Sequence, residues 1–161
     1  MNVPKAKDAP FRRITLATDG SDASAKALAF MLTKFQPDRP TGKGGRVPIH
    51  VSVVHVLARQ RLAPIEFRFT APWVKSEKKM KDVARKLVEQ SVQILIKAGF
   101  TAEPVCRLGN PGEEIMKVAS KQHADLIVMG AKGLGAIDRI LLGSVSTQVV
   151  QYANLPVLVV R

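Results

Sequence analysis

Short runs rich in Val and Ile alternate five times along the chain with segments of helical period, and few folds accommodate that order. The runs fall at residues 12–18, 49–56, 101–107, 125–128 and 155–160. A strand covered on both faces reads as a continuous apolar run, and a parallel neighbour must be reached through a helical crossover. The predicted architecture is α/β: an open, five-stranded parallel sheet with helices on both faces. In such sheets ligands bind beyond the carboxyl ends of the strands, where the strand order reverses. Asp19 lies just past the first strand and Gly130 just past the fourth. If those strands are neighbours, the two residues share one crevice.

The punctuation between the runs supports this order. Asp19-Gly20-Ser21-Asp22 makes a turn into a first helix, whose stripe is Leu28, Leu32 and Phe35. Residues 37–48, with three prolines and three glycines, are expected to be a loop, and residues 57–73 a long connection that is either a lid over a site or disordered. Residues 75–98 are the longest helix, with Met80, Ala84, Leu87, Ser91, Ile94 and Ala98 on its buried stripe and Gly99 as its stop. Asn110-Pro111-Gly112-Glu113 is a helix start with Asn as N-cap, and Ile115, Val118 and Ala119 then face the core. Residues 1–11 read as a loose tail before a single domain at 12–161.

The stretch from Met129 to Ser146 has the composition of an anion site. It follows a strand, carries Gly130, Gly133, Gly135 and Gly143, and leads into a helix starting near Ser144. Glycine lets backbone approach a ligand closely, and a helix N-terminus offers unpaired N–H groups and the positive end of a dipole. A Walker loop would need a lysine before Ser144, and a dinucleotide fingerprint a third glycine where Asp138 stands. Neither motif is present.

Charge points elsewhere. The net charge of +12 is uneven: residues 1–48 hold nine cationic and four acidic side chains, 49–86 nine and three, 87–161 seven and six. The excess lies away from the glycine stretch and is densest at Lys75, Lys78, Lys79, Lys81, Arg85 and Lys86. With 5% aromatic residues there is no stacking platform for bases, so this reads as a solvated basic face and nucleic acid is not the expected partner. No apolar run reaches the roughly 20 residues of a membrane span, and no signal-peptide pattern opens the chain. The lone Cys106 reads as a small buried hydrophobe, and the chain is expected to be cytoplasmic.

The spacing Gly130, two residues, Gly133, nine residues, Gly143-Ser144 resembles the nucleotide-binding signature of the universal stress protein family, in its ATP-binding subclass. Residues 15–21, 54–56, 109–115, 124–130 and 156–160 resemble the family's other motifs, so the likeness covers nearly all of 12–161. It implies an adenine nucleotide alpha hydrolase-like sheet of order 3-2-1-4-5, and ATP or another adenine nucleotide with Mg or Mn as ligand. Ala17, Thr18 and Asp19 would lie along the adenosine and Val56 against adenine. Met129, Gly130, Ala131 and Gly133 would shape the phosphate loop, and Gly143, Ser144, Val145 and Ser146 would bind phosphates. It also implies a homodimer through residues 157–160, a bare apolar edge. Two departures stand out: Leu134-Gly135 replaces a more polar pair, and the 37–48 insertion is placed to alter access to adenine.

No catalytic constellation emerges. His50, His55 and His123 are scattered, His50 and His55 point to opposite faces of one strand, and no cluster has metal-ligand spacing. The expected function is a non-catalytic or weakly hydrolytic ATP-binding regulator in stress response. The alternative is a same-fold partner-binding or scaffold protein that takes no ATP.

Overall fold

The structure, a computed structural model, describes residues 11–40, 46–58, 71–133 and 142–161. In chain order they form β1 (Arg13–Ala17), α1 (Asp22–Lys34), β2 (Asp38–Pro40), β3 (Arg46–Pro48), β4 (His50–Ala58), α2 (Ala71–Lys97), β5 (Thr101–Gly109), α3 (Pro111–Lys121), β6 (Leu126–Gly130), α4 (Ser144–Tyr152) and β7 (Val157–Val160). The main sheet runs β5-β4-β1-β6-β7 with every pairing parallel. Taking its five strands in chain order, that is the expected 3-2-1-4-5, with β1 between β4 and β6.

Strand alternation splits the core into two layers. Ile14, Leu16, Val51, Val53, Leu126 and Val128 pack with Ala27 and Met31 of α1 and Val88, Val92 and Leu95 of α2. Ala17, Val54, Val105, Ile127 and Met129 pack with Ile115, Val118 and Ala119 of α3 and Val149 of α4. The start of β1 is pinned beside β6, because the Asp125 carboxylate accepts from the backbone N–H groups of Arg12 (2.8 Å) and Arg13 (2.9 Å). Phe11, assigned to the tail by sequence, packs against the core. The remainder of the tail lies outside the described residues.

Two helices stop by the same device. Past α2, the Phe100 N–H donates to Leu95 O (3.0 Å) and Gly99 N–H to Ile96 O (2.9 Å), with Gly99 at φ +92°. Past α3, Ala124 N–H donates to Ala119 O (2.8 Å) and His123 N–H to Ser120 O (3.0 Å), with His123 at φ +51°. Both are Schellman motifs, which bend the chain back through one left-handed residue. Gly99 is the stop read from sequence. At α3 the start was equally legible, since Asn110 is the N-cap and accepts from Glu113 N–H.

Several expectations are corrected. Residues 37–48 are not simply a loop: β2 and β3 pair antiparallel, and Ile49 N–H donates to Pro37 O (2.9 Å). This unit attaches at His50, the amino end of β4, beside Gly99. Its described residues therefore sit at the opposite end of the sheet from the carboxyl-end crevice. α2 begins at Ala71, with Pro72 in its first turn where a missing N–H costs nothing. Its buried stripe is Ala84, Val88, Ser91, Val92 and Leu95, while Ile94 is 44% exposed. The apolar pairs 87/88 and 94/95 allow either face, and contact with the sheet selects the second of each, while Ser91 and Val92 are both buried. In α1, Ala27 and Met31 are the fully buried pair and Leu28, Leu32 and Phe35 flank them. The proposed lid largely coincides with residues 59–70, outside the described ones. Among the described residues no helix is long and apolar enough to cross a membrane.

Cys106 is exposed on edge strand β5, because Val105 takes the inward position beside it. Partial burial pushes its thiol above the ordinary value, and nearby Glu89 adds to the shift. The thiolate is the nucleophile, so iodoacetamide should label Cys106 slowly at neutral pH, with the rate still climbing above the pH where a free thiol levels off. Mass spectrometry across a pH series checks this.

Thr15, in the middle of β1, is completely buried and its hydroxyl has no hydrogen-bond partner among the described residues. An unsatisfied hydroxyl in a core is a net cost. Thr15→Val should raise stability by about 1 kcal/mol, read as a higher urea midpoint at unchanged m-value.

Candidate functional site

The strand order reverses at β1: the chain leaves it for β4 on one side and returns to β6 on the other. Two turns therefore face each other at the carboxyl ends of β1 and β6.

The first wall is residues 17–24. Thr18 N–H makes the last bond to β4, donating to Val54 O (2.8 Å). The Asp19 carboxylate folds back and its Oδ1 accepts from Ser21 N–H (3.0 Å) and Ser21 Oγ–H (2.6 Å). Gly20 takes φ +80° to make that fold possible. Ser21 is the N-cap of α1, its Oγ accepting from Ser24 N–H (3.2 Å), and the Ser24 hydroxyl returns a bond to Ser21 O (2.8 Å). Asp19 thus braces the cap without being the cap.

The second wall is residues 129–133 with the start of α4. Ala131 N–H donates to Val160 O of β7 (2.7 Å). The Ala131 carbonyl in turn accepts from Gly143 N–H (2.7 Å) and from the Ser146 hydroxyl (2.8 Å). Gly143 is the N-cap of α4 and provides no side-chain cap. By helix geometry the N–H groups of Ser144, Val145 and Ser146 have no acceptor inside the helix. This N-terminus carries no acidic residue in its first turn, so its dipole is not offset there.

The walls touch. Ser21 Oγ lies 3.2 Å from Lys132 O, and a Cβ on Gly133 would stand 2.7 Å from Asp19 Oδ2. The glycines serve different ends. A Cβ on Gly130 would fall 2.5 Å from the Ala23 carbonyl carbon and 2.7 Å from Ser24 N, so this glycine lets the first turn of α1 settle onto the end of β6. At Gly143 the nearest atom would be 3.5 Å away, which is ordinary contact. Gly112, read from sequence only as part of a helix start, is where α3 meets Gln148 of α4.

The predicted residues divide by exposure. Ala17, Met129 and Ala131 are buried, so only their backbone can line a crevice; Ser146 is 2% exposed and its hydroxyl is occupied by Ala131 O and Gly143 O. Thr18, Asp19, Val56, Gly130, Gly143 and Val145 are half-buried, and Gly133 and Ser144 are exposed. Leu134-Gly135 lies outside the described residues. Sequence reading missed Ser21, Ser24, His55 and the Lys132 carbonyl. The Asp-Gly-Ser turn was a usable signal for Ser21. The His55 Nδ1–H donates to Thr18 O (2.8 Å), which occupies the nitrogen that a Ser–His–Asp relay would need for its carboxylate. Among the described residues no group of three His, Cys, Asp or Glu is placed to hold a metal ion.

Residues 10–161 match the universal stress protein family, and the chain belongs to it. It is 31% identical over 153 residues to the Bacillus subtilis universal stress protein YxiE, covering 94% of this chain and 99% of that one. A Thermus aquaticus universal stress protein is 34% identical over 152 residues, with the same coverage. Among solved structures, that of MJ0577 from Methanocaldococcus jannaschii superposes with a TM-score of 0.77 at 27% identity, covering 94% and 96% of the two chains. Two more distant members of the same fold were solved with nucleotides. One is a universal stress protein with cAMP (TM-score 0.62, 21% identity, 95% and 98% covered). The other is the Archaeoglobus fulgidus protein with dAMP (0.58, 24%, 95% and 100%).

The contrast among the glycines is open to test. Gly130→Ala forces two backbone segments apart and should cost about 1–3 kcal/mol. Gly133→Ala meets one oxygen of the Asp19 carboxylate and no backbone, so less must shift and the cost should be about 1 kcal/mol. Urea denaturation of both variants measures the difference.

Proposed function

We propose that the crevice between β1 and β6 binds ATP or another adenine nucleotide, accompanied by Mg or Mn, and that the bound nucleotide regulates without being turned over rapidly. The carrying observation is the contact between its walls: Asp19 Oδ2 against Gly133, with the uncapped α4 N-terminus beyond. One wall offers a carboxylate, the other N–H groups with no acceptor inside their helix, and a nucleotide has hydroxyls at one end and phosphates at the other. The adenine nucleotides held by two relatives of this fold support the same reading.

In this assignment Ala17, Thr18 and Asp19 lie along the adenosine, Asp19 accepting from ribose hydroxyls, and Val56 packs on adenine. Met129, Gly130, Ala131 and Gly133 shape the loop. Gly143, Ser144, Val145 and Ser146 hold phosphate through the N–H groups at the α4 start, with the exposed Ser144 hydroxyl assisting. Ser146 contributes its N–H, since its hydroxyl braces the loop. A divalent cation would ride on the phosphates through water, as the described residues supply no ligand cluster. Because His55 Nδ1 is committed to Thr18 O, no carboxylate orients that ring in a Ser–His–Asp relay, and hydrolysis is expected to be slow or nil. The chain acts as a cytoplasmic homodimer joined along β7, presenting a nucleotide-dependent surface to protein partners.

Calorimetry with ATP and magnesium tests the ligand: binding is expected below millimolar concentration, and none at that level would leave the partner-binding alternative. Gly143→Ser gives a sharper outcome. The N-cap backbone (φ −75°, ψ 166°) suits serine, whose hydroxyl would accept from an N–H at the helix start. Stability should rise by a few tenths of a kcal/mol while ATP affinity falls, because the same N–H can no longer serve phosphate. For the dimer, sedimentation at micromolar concentration should give twice the 17.5 kDa chain mass.

A further inference from the structure

We propose that His55 is a positioning residue of this crevice: through its Nδ1–H it clamps the Thr18 carbonyl and so sets the turn that carries Asp19. The inference rests on the nucleotide reading for its ligand consequences and on geometry for the clamp itself.

The β1–β4 ladder ends at the pair Ala17 and Val54, with Thr18 N–H bonded to Val54 O. Beyond it the strands part: β4 runs on to Ala58 beside β5, while the other chain turns at Gly20 into α1. In a continuing parallel ladder a β4 N–H would answer the Thr18 carbonyl. No backbone bond among the described residues does so, and the His55 ring takes that place at 2.8 Å.

A carbonyl oxygen only accepts, so Nδ1 carries the proton and the tautomer is fixed. The peptide joining Thr18 to Asp19 is planar, hence holding its carbonyl also fixes the direction of the Asp19 N–H, which points the opposite way. One residue on, the Asp19 carboxylate holds Ser21 N–H, and Ser21 caps α1. The ring therefore stands at the head of the sequence of bonds that places the carboxylate.

Three full-length variants test this. In His55→Asn the side-chain NH2 sits one bond from Cγ, as Nδ1 does, so the clamp survives; in His55→Gln the donor is one bond further out, and in His55→Leu it is gone. The first readout needs no ligand: amide hydrogen exchange at Ser21 should quicken roughly tenfold in the Gln and Leu variants and stay within about twofold of the parent in Asn. The second is calorimetry with adenosine, ATP and inorganic tripolyphosphate. Gln and Leu should weaken adenosine and ATP by roughly tenfold and leave tripolyphosphate unchanged, and Asn should restore both. Unchanged Ser21 exchange in the Gln variant, or Asn behaving like Gln, overturns the proposal. If the parent binds no nucleotide, the nucleotide reading fails, and the exchange pattern still decides the clamp.

Discussion

The absence of a side chain at residue 130 holds the two halves of the crevice together. β6 ends under the first turn of α1, with the Ala23 carbonyl where a Cβ would stand. Because the helix can settle so low, its N-cap Ser21 reaches Lys132 O, and Asp19 reaches Gly133. Widen that approach by the ~1.5 Å of a methyl group and both contacts open at once. A topological switch point supplies only proximity of two strand ends. Here the close backbone packing turns that proximity into a defined gap with a carboxylate on one lip and, on the other, N–H groups that have no acceptor inside their helix.

Electrostatics then decides which way round a nucleotide fits. Phosphate within about 4 Å of the Asp19 carboxylate would meet a repulsion of about 4 kcal/mol at an effective dielectric near 20. The α4 N-terminus offers about 0.3–1 kcal/mol per anionic group, plus the hydrogen bonds its N–H groups donate. Attraction at α4 cannot offset a phosphate placed against Asp19. It is sufficient for one placed at Ser144, on the far side of Gly133. In the proposed nucleotide reading the sugar would therefore sit at Asp19 and the phosphates at α4, an orientation argued from the charges without reference to any relative.

Much of this was legible in the sequence, for physical reasons. The run of β-branched residues and the helical crossovers fix a parallel sheet, and the punctuation at Asn110 and Gly99 is local chemistry that tertiary contacts do not override. What could not be read was anything decided by a neighbour distant in sequence. Adjacent apolar pairs along α2 permit two faces, and only the sheet chooses. Cys106 looks like a core residue until Val105 takes the inward place. Ser146 looks like a phosphate donor until Ala131 O claims its hydroxyl, fifteen residues away. The 37–48 segment holds enough Pro and Gly to read as a loop, and its short pairing and its place at the amino end of β4 depend on contacts that composition does not encode.

Among the described residues the two edge strands of the main sheet differ. β5 carries Pro104, which offers no N–H, between Glu103 and an exposed Cys106 and Arg107, and such an edge resists pairing. β7 is Val-Leu-Val-Val, half-buried and free of charge. Its last residue, Val160, accepts from Ala131 N–H, and the Ala131 carbonyl accepts from Gly143 N–H and the Ser146 hydroxyl. One residue thus joins the β7 edge to the helix start that would hold phosphate. The N–H and the C=O belong to the two peptide planes that meet at the Ala131 Cα, so a shift of this residue moves both bonds. A second chain seated on β7 and an anion seated on α4 would act on the same residue from opposite sides. Coupling between assembly and ligand then needs no larger rearrangement than the adjustment of one loop residue.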